Sequence, residues 1–204
     1  MKIYFASGNK AKQEQLKYVA DYFGYPVEVI NAKEMFKVDY EENGRTCMDI
    51  AVKGAKHVFS KIKKPVVVED SIIYISALKG PGLKSNKFLK EKKVEGALNL
   101  MKHESDRSCY IESCVVYYDG KILKKFRNKV AGRITYRKSY RQGEPIWVGP
   151  SFHEFGGGYN SIYEPWFIED LGKTLADATK EEGLVYGYRE RNFKTLLDFL
   201  FEKV

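Results

Sequence analysis

The sequence predicts a fold of the α/β or α+β class, built on one bent β-sheet. Three observations carry this prediction: strand and helix patterns alternate over the first 70 residues, strand-like runs dominate the middle of the chain, and a helical pattern ends it. A chain of 204 residues suits either one large domain, residues 1–204, or two lobes around a cleft. No repeat, low-complexity segment or long linker divides it.

Strand and helix patterns alternate in the first part of the chain. An apolar strand pattern occupies residues 1–6. Residues 11–23 predict a helix, because apolar side chains recur there at helical spacing: Leu16, Val19, Ala20 and Phe23. A second strand at 27–30, an amphipathic helix at 47–62 and a buried-type strand at 65–68 follow.

Strand patterns dominate the part of the chain that comes next. Residues 72–78 continue the apolar chain, Gly80-Pro81-Gly82 predicts a turn, and Asp119-Gly120 predicts a hairpin. The last helix turns an apolar face to a core: Phe193, Leu196, Leu197, Leu200 and Phe201. The other predicted elements are a short helix at 93–102, strands at 108–118, 121–130 and 133–140, and a loop at 141–158.

The composition bounds the function classes. A net charge of +8 favours anionic partners such as nucleotides, but no concentrated basic stripe or known motif favours nucleic acid. Cys47, Cys109 and Cys114 form no C-x-x-C pair, which predicts buried reduced thiols in a cytoplasmic protein. We find no signal-peptide pattern, membrane-length apolar run, zinc-ligand spacing or G-x-S-x-G elbow.

The turn after the first strand is a candidate anion site. Ser7, Gly8, Asn9 and Lys10 lie where that strand passes into a helix. Backbone N–H groups and the helix dipole favour an anion at such a turn, and Lys12 adds a positive charge one turn into the helix. The alternative is an ordinary strand–helix turn with Ser or Asn as the N-cap.

The strand at 65–68 ends in a second candidate site, Glu69-Asp70-Ser71. Ligands of α/β sheets gather at the carboxyl ends of strands, and an aspartate there can hold Mg²⁺ or take a proton from water. Successive strand residues face opposite sides, so Glu69 and Asp70 cannot both face one site. The alternative is a solvated acid pair at a strand end.

Three further stretches are ambiguous on their own. Acidic residues at 41–42 precede the helix at 47–62 and can simply match its dipole. A glycine run ending in Tyr159 and Asn160 can either hug a flat ligand or form a loop. Arg189 lies at the start of the last helix, where the dipole disfavours a cation, which hints at base or phosphate recognition; a surface arginine is the alternative.

Taken in order, these segments resemble the inosine triphosphate pyrophosphatase (Ham1/RdgB-like) family over nearly the whole chain. The family's [S/T]-G-N-x-x-K turn matches residues 7–12, its E-x-G-x-T matches 42–46, and its D-S matches Asp70-Ser71. A G-x-P-G-x-x-S-like stretch matches 80–85, one residue tighter, and a G-K-T-x-A-E-like turn matches 172–177.

The resemblance implies an elongated, bent mixed β-sheet with flanking helices, in two lobes around a central cleft. It implies Mg²⁺-dependent hydrolysis of nucleoside triphosphates, deaminated purines foremost, to monophosphate and pyrophosphate, by a cytoplasmic homodimer that sanitises the nucleotide pool. Carried over by position, Glu42 and Asp70 hold the metal, and Asp70 activates water. The turn from Ser7 to Lys12, together with Ser71, holds the triphosphate.

The departures from the family pattern fall on the side that binds the base. The family's F-G-Y-D-P is Gly157, Gly158, Tyr159, Asn160 and Ser161 in this chain. Its S-H-R is Gly187, Tyr188 and Arg189, and its pocket lysine is Gly183. The resemblance therefore implies a base site that uses Gly158, Tyr159, Asn160, Tyr188 and Arg189 with altered selectivity. The alternatives are a pyrophosphatase for another modified nucleotide, and a nucleotide- or nucleic-acid-binding protein without turnover.

Overall fold

A computed structural model describes residues 1–137 and 166–202. Its described part divides into two compact units. The first consists of Met1–Ser71, Ser113–Asn128 and the stretch from Tyr188, and the second of Ile72–Glu112 and Lys129–Gly187. The described residues form eight strands: β1 (Lys2–Phe5), β2 (Glu28–Asn31), β3 (Val66–Ile75), β4 (Gly80–Gly82), β5 (Ser108–Tyr118), β6 (Leu123–Ile134), β7 (Trp166–Ile168) and β8 (Lys173–Thr174). They are hydrogen-bonded in the order β2-β1-β3-β5-β6-β7-β8, with β4 paired to β3. Long strands β3, β5 and β6 contribute residues to both units.

The first unit begins with a parallel β-sheet covered by helices. Strand β1 pairs in parallel with both β2 and β3, and Phe5 of β1 packs edge-on against Phe193 of the last helix at 5.9 Å. Its elements are β1 (Lys2–Phe5), α1 (Lys10–Tyr22), β2 (Glu28–Asn31), α2 (Ala32–Phe36) and α3 (Cys47–Ile62), with parts of β3 (Val66–Ile75), β5 (Ser108–Tyr118) and β6 (Leu123–Ile134), and the final helix, which we number α6 (Tyr188–Phe201).

The second unit contains the far halves of the long strands and shorter elements. Its own elements are β4 (Gly80–Gly82), α4 (Ser85–Leu100), β7 (Trp166–Ile168), β8 (Lys173–Thr174), a 3₁₀ turn (Leu175–Asp177) and α5 (Lys180–Tyr186). Strands β6, β7 and β8 pair antiparallel in sequence order. Thr179 begins α5 with a capping box, since its side chain and that of Glu182 each bond the other's backbone N–H.

Most of the predicted elements are present. The helix at 47–62 and the strand at 108–118 have the predicted bounds, and the Asp119-Gly120 hairpin forms with Gly120 at a φ of +93°. All three cysteines are buried, and none forms a disulfide among the described residues. In the described part of the chain, no helix has the length and apolar character needed to cross a membrane.

Three predictions about local structure are wrong. Gly80-Pro81-Gly82 is a short strand paired with β3 rather than a turn. The predicted strands at 121–130 and 133–140 are one strand, β6, ending at Ile134. Strand β6 continues through Gly132, where β7 approaches so closely that no side chain fits. An added Cβ would lie 2.3 Å from the Phe167 carbonyl oxygen.

Two helix predictions also need correction. Helix α4 starts at Ser85 instead of residue 93, and a kink at Lys93 with a φ of +56° divides it. Phe23 does not join the buried stripe of α1, because the helix ends at Tyr22 and Gly24 turns the chain at a φ of +74°. Phe23 is 41% exposed. The predicted loop at 141–158 lies outside the described residues.

A buried arginine ties strand ends together within the second unit. Arg107 is buried, and its guanidinium donates to the carbonyl oxygens of Ile134 at 2.5 Å, Met101 at 2.6 Å and Thr135 at 2.8 Å. The aromatic ring of Tyr136 lies 4.1 Å from the guanidinium carbon. Since five N–H donors in a fixed fork serve three backbone carbonyls, Arg107 acts as a structural clamp.

We expect Arg107→Met to lower the free energy of unfolding by about 2–4 kcal/mol, because three buried carbonyl oxygens lose a charged donor. Chemical denaturation monitored through the fluorescence of Trp166, which is buried in the same unit, measures the loss. Arg133→Met is the control, since the Arg133 side chain is exposed, pairs with the exposed Glu169 and lies over the Phe167 ring, but donates to no buried backbone carbonyl among the described residues. Equal stability of the two variants would contradict the clamp.

Candidate active site

The end of β1 and the middle of β3 bring the first predicted site residues together. The prediction that a strand ends at residue 68 is wrong, because β3 continues through Glu69, Asp70 and Ser71 to Ile75. Strand β1 pairs with β3 through Tyr4 with Val66 and Phe5 with Val67, and the Ala6 N–H donates to the Val67 carbonyl at 2.8 Å. The chain leaves β1 at Ser7, level with residues 68–70 of β3. Because β1 and β3 run parallel in this register, the Ser7 turn lies beside Glu69 and Asp70 in the middle of β3.

The Ser7 turn is open on the side away from the core. Ser7 is buried and its Oγ accepts from the Asn9 N–H at 3.2 Å, while Gly8, Asn9 and Lys10 are exposed. An added Cβ at Gly8 would meet no atom within 4 Å. Asn9 is the N-cap of α1, but its side chain forms no capping bond. The N-terminus of a 13-residue helix is therefore not closed by its own cap residue.

Lys12 and Arg189 both pair with the buried carboxylate of Glu69. Lys12 Nζ lies 2.8 Å from Glu69 Oε2 and also donates to the Glu69 carbonyl at 3.2 Å, while Arg189 Nε lies 3.1 Å from Oε1. Burial alone would raise the pKa of Glu69, but the charges of Arg189 and Lys12 outweigh burial and lower it to about 2. Glu69 is therefore ionised and fixes both cations.

Polar side chains from four elements, β5, α1, β3 and α6, complete this network. Ser113 of β5 donates to Glu69 Oε1 at 2.9 Å. Arg189 donates to Gln15 Oε1 at 2.5 Å and to Ser71 Oγ at 3.2 Å, and Asn192 donates to the Ser113 carbonyl at 2.8 Å. The buried guanidinium of Arg189 thus has several protein partners, and it reaches from α6 to Ser71 of β3.

Asp70 faces a different environment from that of Glu69. It is half-buried, and burial raises its pKa to about 6; the charge of Lys12 opposes this rise, whereas Glu69 and Glu42 add to it. An unpaired carboxylate beside two others keeps its proton to a higher pH than usual. Asp70 can therefore accept a proton from water near neutral pH.

The donor set at Asp70 fits a hard divalent cation. Glu42 is exposed and its charge is felt at Asp70, and neither carboxylate forms an ion pair within residues 1–137 and 166–202. A cation between them would relieve the repulsion that raises the pKa of Asp70. Two carboxylates leave room for phosphate oxygens and water, which is the coordination that Mg²⁺ prefers.

A recess opens beside the Glu42 loop. Its volume is about 720 Å³, and its walls are residues of that loop and of α3: Asp39, Tyr40, Glu41, Asn43, Lys53 and His57. Tyr40 lies so close to α3 that a Cβ on Gly54 would stand 2.6 Å from its ring. Burial first, and then the charges of Asp70 and Glu42, raise the pKa of Tyr40 far above its usual value. Tyr40 therefore stays a neutral phenol near the acids.

A protein-family model described as the Ham1 family matches residues 3–199. The chain belongs to the Ham1 family. Among curated relatives, the dITP/XTP pyrophosphatase of Pyrococcus horikoshii is 30% identical over 98% of this chain and 97% of its own length. The protein of the same name from Methanosarcina acetivorans is 34% identical over 76% of this chain and 85% of its own length.

Solved Ham1 structures share the fold. The Ham1 protein of Staphylococcus aureus aligns with a TM-score of 0.79 and 23% identity over 100% of both chains. A Ham1 protein from Coxiella burnetii aligns with the same TM-score and 19% identity over 99% of both. These comparisons confirm the predicted α/β class with an open mixed sheet and flanking helices. The arrangement in two lobes around a cleft stays a prediction.

The predicted site residues of this Ham1 chain fall into three groups. The structure brings Lys12 and Ser71 together with the Glu69–Arg189 network, and it places Asp70, Glu42 and the Ser7 turn beside it. Tyr188 is buried, its carbonyl accepts from Asn128 at 3.0 Å, and its ring lies 4.8 Å from the Arg189 guanidinium carbon. Gly158, Tyr159 and Asn160 lie outside the described residues.

Sequence reasoning placed Glu69 in a candidate site without giving it a role, and it missed Gln15 and Ser113. Glu69 and Asp70 do face different environments, and the buried carboxylate of Glu69 pairs with Lys12 and Arg189. Gln15 carried a signal, since it is a polar residue beside the apolar stripe of α1 and is buried. Arg189 lies at a helix start, where the dipole disfavours a cation, and its pairing with Glu69 accounts for its position without a phosphate or base.

A second buried acid, Glu190, borders the network. Its Oε1 accepts from Gln15 at 3.0 Å, and its Oε2 has no hydrogen-bond partner among the described residues. Burial raises the pKa of Glu190 from 4.5 to about 7, although the charge of Arg189 opposes the rise. The folded state therefore binds this proton more tightly than the unfolded state between pH 4.5 and 7.

Because the folded state holds that proton, the contribution of Glu190 lowers stability as the pH rises from 4.5 to 7. We expect Glu190→Gln to remove this loss and to raise the free energy of unfolding above pH 7 by about 2–3 kcal/mol relative to the parent chain. Below pH 4.5 the two proteins should be equally stable. Urea denaturation across pH 4–8 tests this, with Glu14→Gln on the exposed face of α1 as control; a gap independent of pH would refute it.

Proposed function

We propose that this Ham1 protein hydrolyses nucleoside triphosphates to the monophosphate and pyrophosphate, with deaminated purines such as ITP, dITP and XTP as substrates, and so clears them from the nucleotide pool. The observation that carries the proposal is the half-buried Asp70, whose pKa is raised to about 6, beside Lys12 and the open Ser7 turn. The names of the relatives, dITP/XTP pyrophosphatase, support the same chemistry.

In the proposed reaction a water molecule attacks the α-phosphorus, and pyrophosphate leaves with the electrons of the α–β bridge. Asp70 takes the proton of the attacking water, for which its raised pKa suits it. The Ser7 turn offers backbone N–H groups to the phosphate oxygens. Lys12 has three N–H bonds and makes two contacts with Glu69, so one remains to meet a phosphate oxygen.

Glu42 and Asp70 would hold the Mg²⁺ ion that this proposal includes. When bound, the ion neutralises charge on the phosphate oxygens. Glu69 serves the reaction indirectly, because it holds Lys12 and Arg189 in fixed positions. Arg189 donates to Ser71 Oγ at 3.2 Å and thereby stabilises the segment of β3 that carries Asp70.

The base site differs from the family pattern at Gly157, Gly183 and Tyr188, so we propose altered base selectivity. Tyr159 or Tyr188 would supply the aromatic contact that the family's phenylalanine gives, worth about 0.5–1.5 kcal/mol beyond burial. Of the two, Tyr188 lies among the described residues, and its ring lies against Arg189. A homodimer and a cytoplasmic location stay part of the proposal.

Pyrophosphate release from a panel of triphosphates tests the substrate class. ITP, dITP, XTP and the four standard nucleotides are incubated with Mg²⁺ and the wild-type chain, and pyrophosphate and orthophosphate are measured separately. The proposal expects pyrophosphate from ITP, dITP or XTP at rates at least about tenfold above the standard nucleotides, since one polar contact to a base edge is worth that much. Pyrophosphate release only from a nucleotide with another base would assign a different substrate. Nucleotide binding without pyrophosphate release would contradict the proposed enzymatic activity.

A further inference from the structure

Two of the three cysteines form a buried pair inside the first unit. Cys47, the first residue of α3, is 1% exposed, and Cys114 of β5 is 0% exposed. Their Sγ atoms lie within 4.8 Å of each other, and the two thiols share a hydrogen bond. A change of χ1 rotamer moves a cysteine sulfur by about 3 Å, so the pair can reach the S–S bonding distance of about 2 Å.

A second contact between the same two elements holds the pair in place. Tyr118 lies four residues after Cys114 and therefore on the same side of β5, and its ring packs against Phe59 of α3 with centroids 5.0 Å apart. Gly120 extends this contact, because an added Cβ there would overlap the Phe59 ring. Helix α3 thus packs against the side of β5 that carries Cys114.

The position of Cys47 gives a small oxidant access to the pair. Thr46, the residue before it, is exposed and caps α3 by accepting from the Asp49 N–H at 3.0 Å. The ends of a helix open more easily than its middle, so opening of the first turn uncovers Cys47 while the rest of α3 stays packed. Cys114 lies within a central strand, between β3 and β6. Cys47 is therefore the thiol that meets an oxidant first.

We propose that Cys47 and Cys114 form a disulfide when the protein meets hydrogen peroxide. The Cys47 sulfur attacks a peroxide oxygen, the O–O bond breaks, and Cys47 becomes a sulfenic acid while the other oxygen leaves as water with the thiol proton. The Cys114 sulfur then attacks the Cys47 sulfur, the S–O bond breaks, and that oxygen leaves as water with the Cys114 proton. The two sulfur atoms together lose one electron pair, and the peroxide gains it.

The pair is reduced at rest and reacts slowly. The hydrogen bond with Cys114, and then burial, raise the pKa of Cys47, so the closed structure holds a neutral thiol, which is a poor nucleophile. The reaction therefore requires the first turn of α3 to open. The disulfide ties the first residue of α3 to the sheet and thereby restrains the loop that carries Glu42.

Intact mass spectrometry of the full chain after treatment with millimolar hydrogen peroxide tests the proposal. The wild-type chain should lose the mass of two hydrogen atoms, and peptide mapping without reductant should place the link between Cys47 and Cys114. Dithiothreitol should reverse the change. Cys109→Ser is the matched control, because Cys109 lies five residues before Cys114 and so on the other side of β5; this variant should form the same link at the wild-type rate.

Two further comparisons test the order of events and the route of access. Cys114→Ala should accumulate a sulfenic acid at Cys47, detected with dimedone, whereas Cys47→Ala should leave Cys114 unmodified. Thr46→Ala should speed formation of the link by about fivefold, the factor that corresponds to the loss of a helix cap. Thr179→Ala removes the cap of α5 instead and should leave the rate unchanged.

Several results would overturn the proposal. They are an unchanged wild-type mass, a link that includes Cys109, a link between two chains, and added oxygen atoms on Cys47 without a link. Equal rates for Thr46→Ala and the wild-type chain would contradict access through the first turn of α3. The mass and the mapping of the wild-type chain decide the proposal even where a variant fails to fold.

Discussion

Replacing Asp70 with asparagine is expected to abolish pyrophosphate release, lowering kcat by about a thousandfold or more, the range for a lost general base. The amide has nearly the same shape but takes no proton from water and binds a divalent cation poorly. The fold should persist, because the change removes one of three neighbouring negative charges. Steady-state kinetics and thermal denaturation of the same preparations measure both effects.

The control for this variant is Asp21→Asn, an exposed aspartate near the end of α1. It makes the same chemical change away from the candidate site and should leave kcat within about twofold. If Asp70→Asn retained more than a tenth of wild-type turnover while folding normally, Asp70 would not be the base. The reaction would then need another proton acceptor, and the neighbouring carboxylate of Glu42 is the first to examine.

Glu69→Gln is expected to lower the free energy of unfolding by about 3–5 kcal/mol, the largest loss for any single substitution at the site. The change leaves the ammonium of Lys12 and the guanidinium of Arg189 without their shared carboxylate in a buried position. Turnover should fall as well, because both cations lose the anchor that orients them. Chemical denaturation and kinetics at saturating Mg²⁺ measure the two effects.

Two further variants separate charge from hydrogen bonding. Ser113→Ala removes only the donor to Glu69 Oε1 and should cost about 1 kcal/mol. Lys12→Met combined with Glu69→Gln should be less destabilising than the sum of the single changes, because the two residues share one ion pair. Strict additivity of the double variant would contradict the pairing.

The pH dependence of stability also reports on the ion pairs of Glu69. The pKa of Glu69 is about 2 in the folded chain against 4.5 ordinarily. Its contribution is therefore complete above pH 4.5 and is lost as the pH falls towards 2. Wild-type stability should decline on acidification through this range, and Glu69→Gln should lack that part of the decline.

The turn from Ser7 to Lys12 could be predicted from the sequence because it follows a short apolar strand. The chemistry of such a turn depends on residues adjacent in the chain. Helix α3 was predictable for a similar reason, since its apolar stripe repeats over 16 residues. The amphipathic period and the N-cap Thr46 define that helix without tertiary context. The strand end predicted at residue 68 is wrong, because β3 continues through Asp70 and Ser71 to Ile75, where pairing with other strands and not the local pattern sets its length.

The Glu69 network could not be predicted in the same way, because its members come from distant parts of the chain. Glu69 meets Lys12, Arg189 and Ser113 only when β3, α1, α6 and β5 are packed together. A buried carboxylate reads in the sequence as a solvated acid, and the two cations that neutralise it give no local signal. The prediction divided β6 into two strands for a related reason. Only the close approach of β7 explains the glycine at position 132.

The measurement that tests the central claim most directly is the hydrolysis of ITP in ¹⁸O-labelled water with Mg²⁺, comparing the wild-type chain with Asp70→Asn. The proposed attack at the α-phosphorus predicts that the label enters the monophosphate and not the pyrophosphate, at a rate that collapses in Asp70→Asn. Label in the pyrophosphate, orthophosphate as the product, or equal rates for both proteins would contradict it.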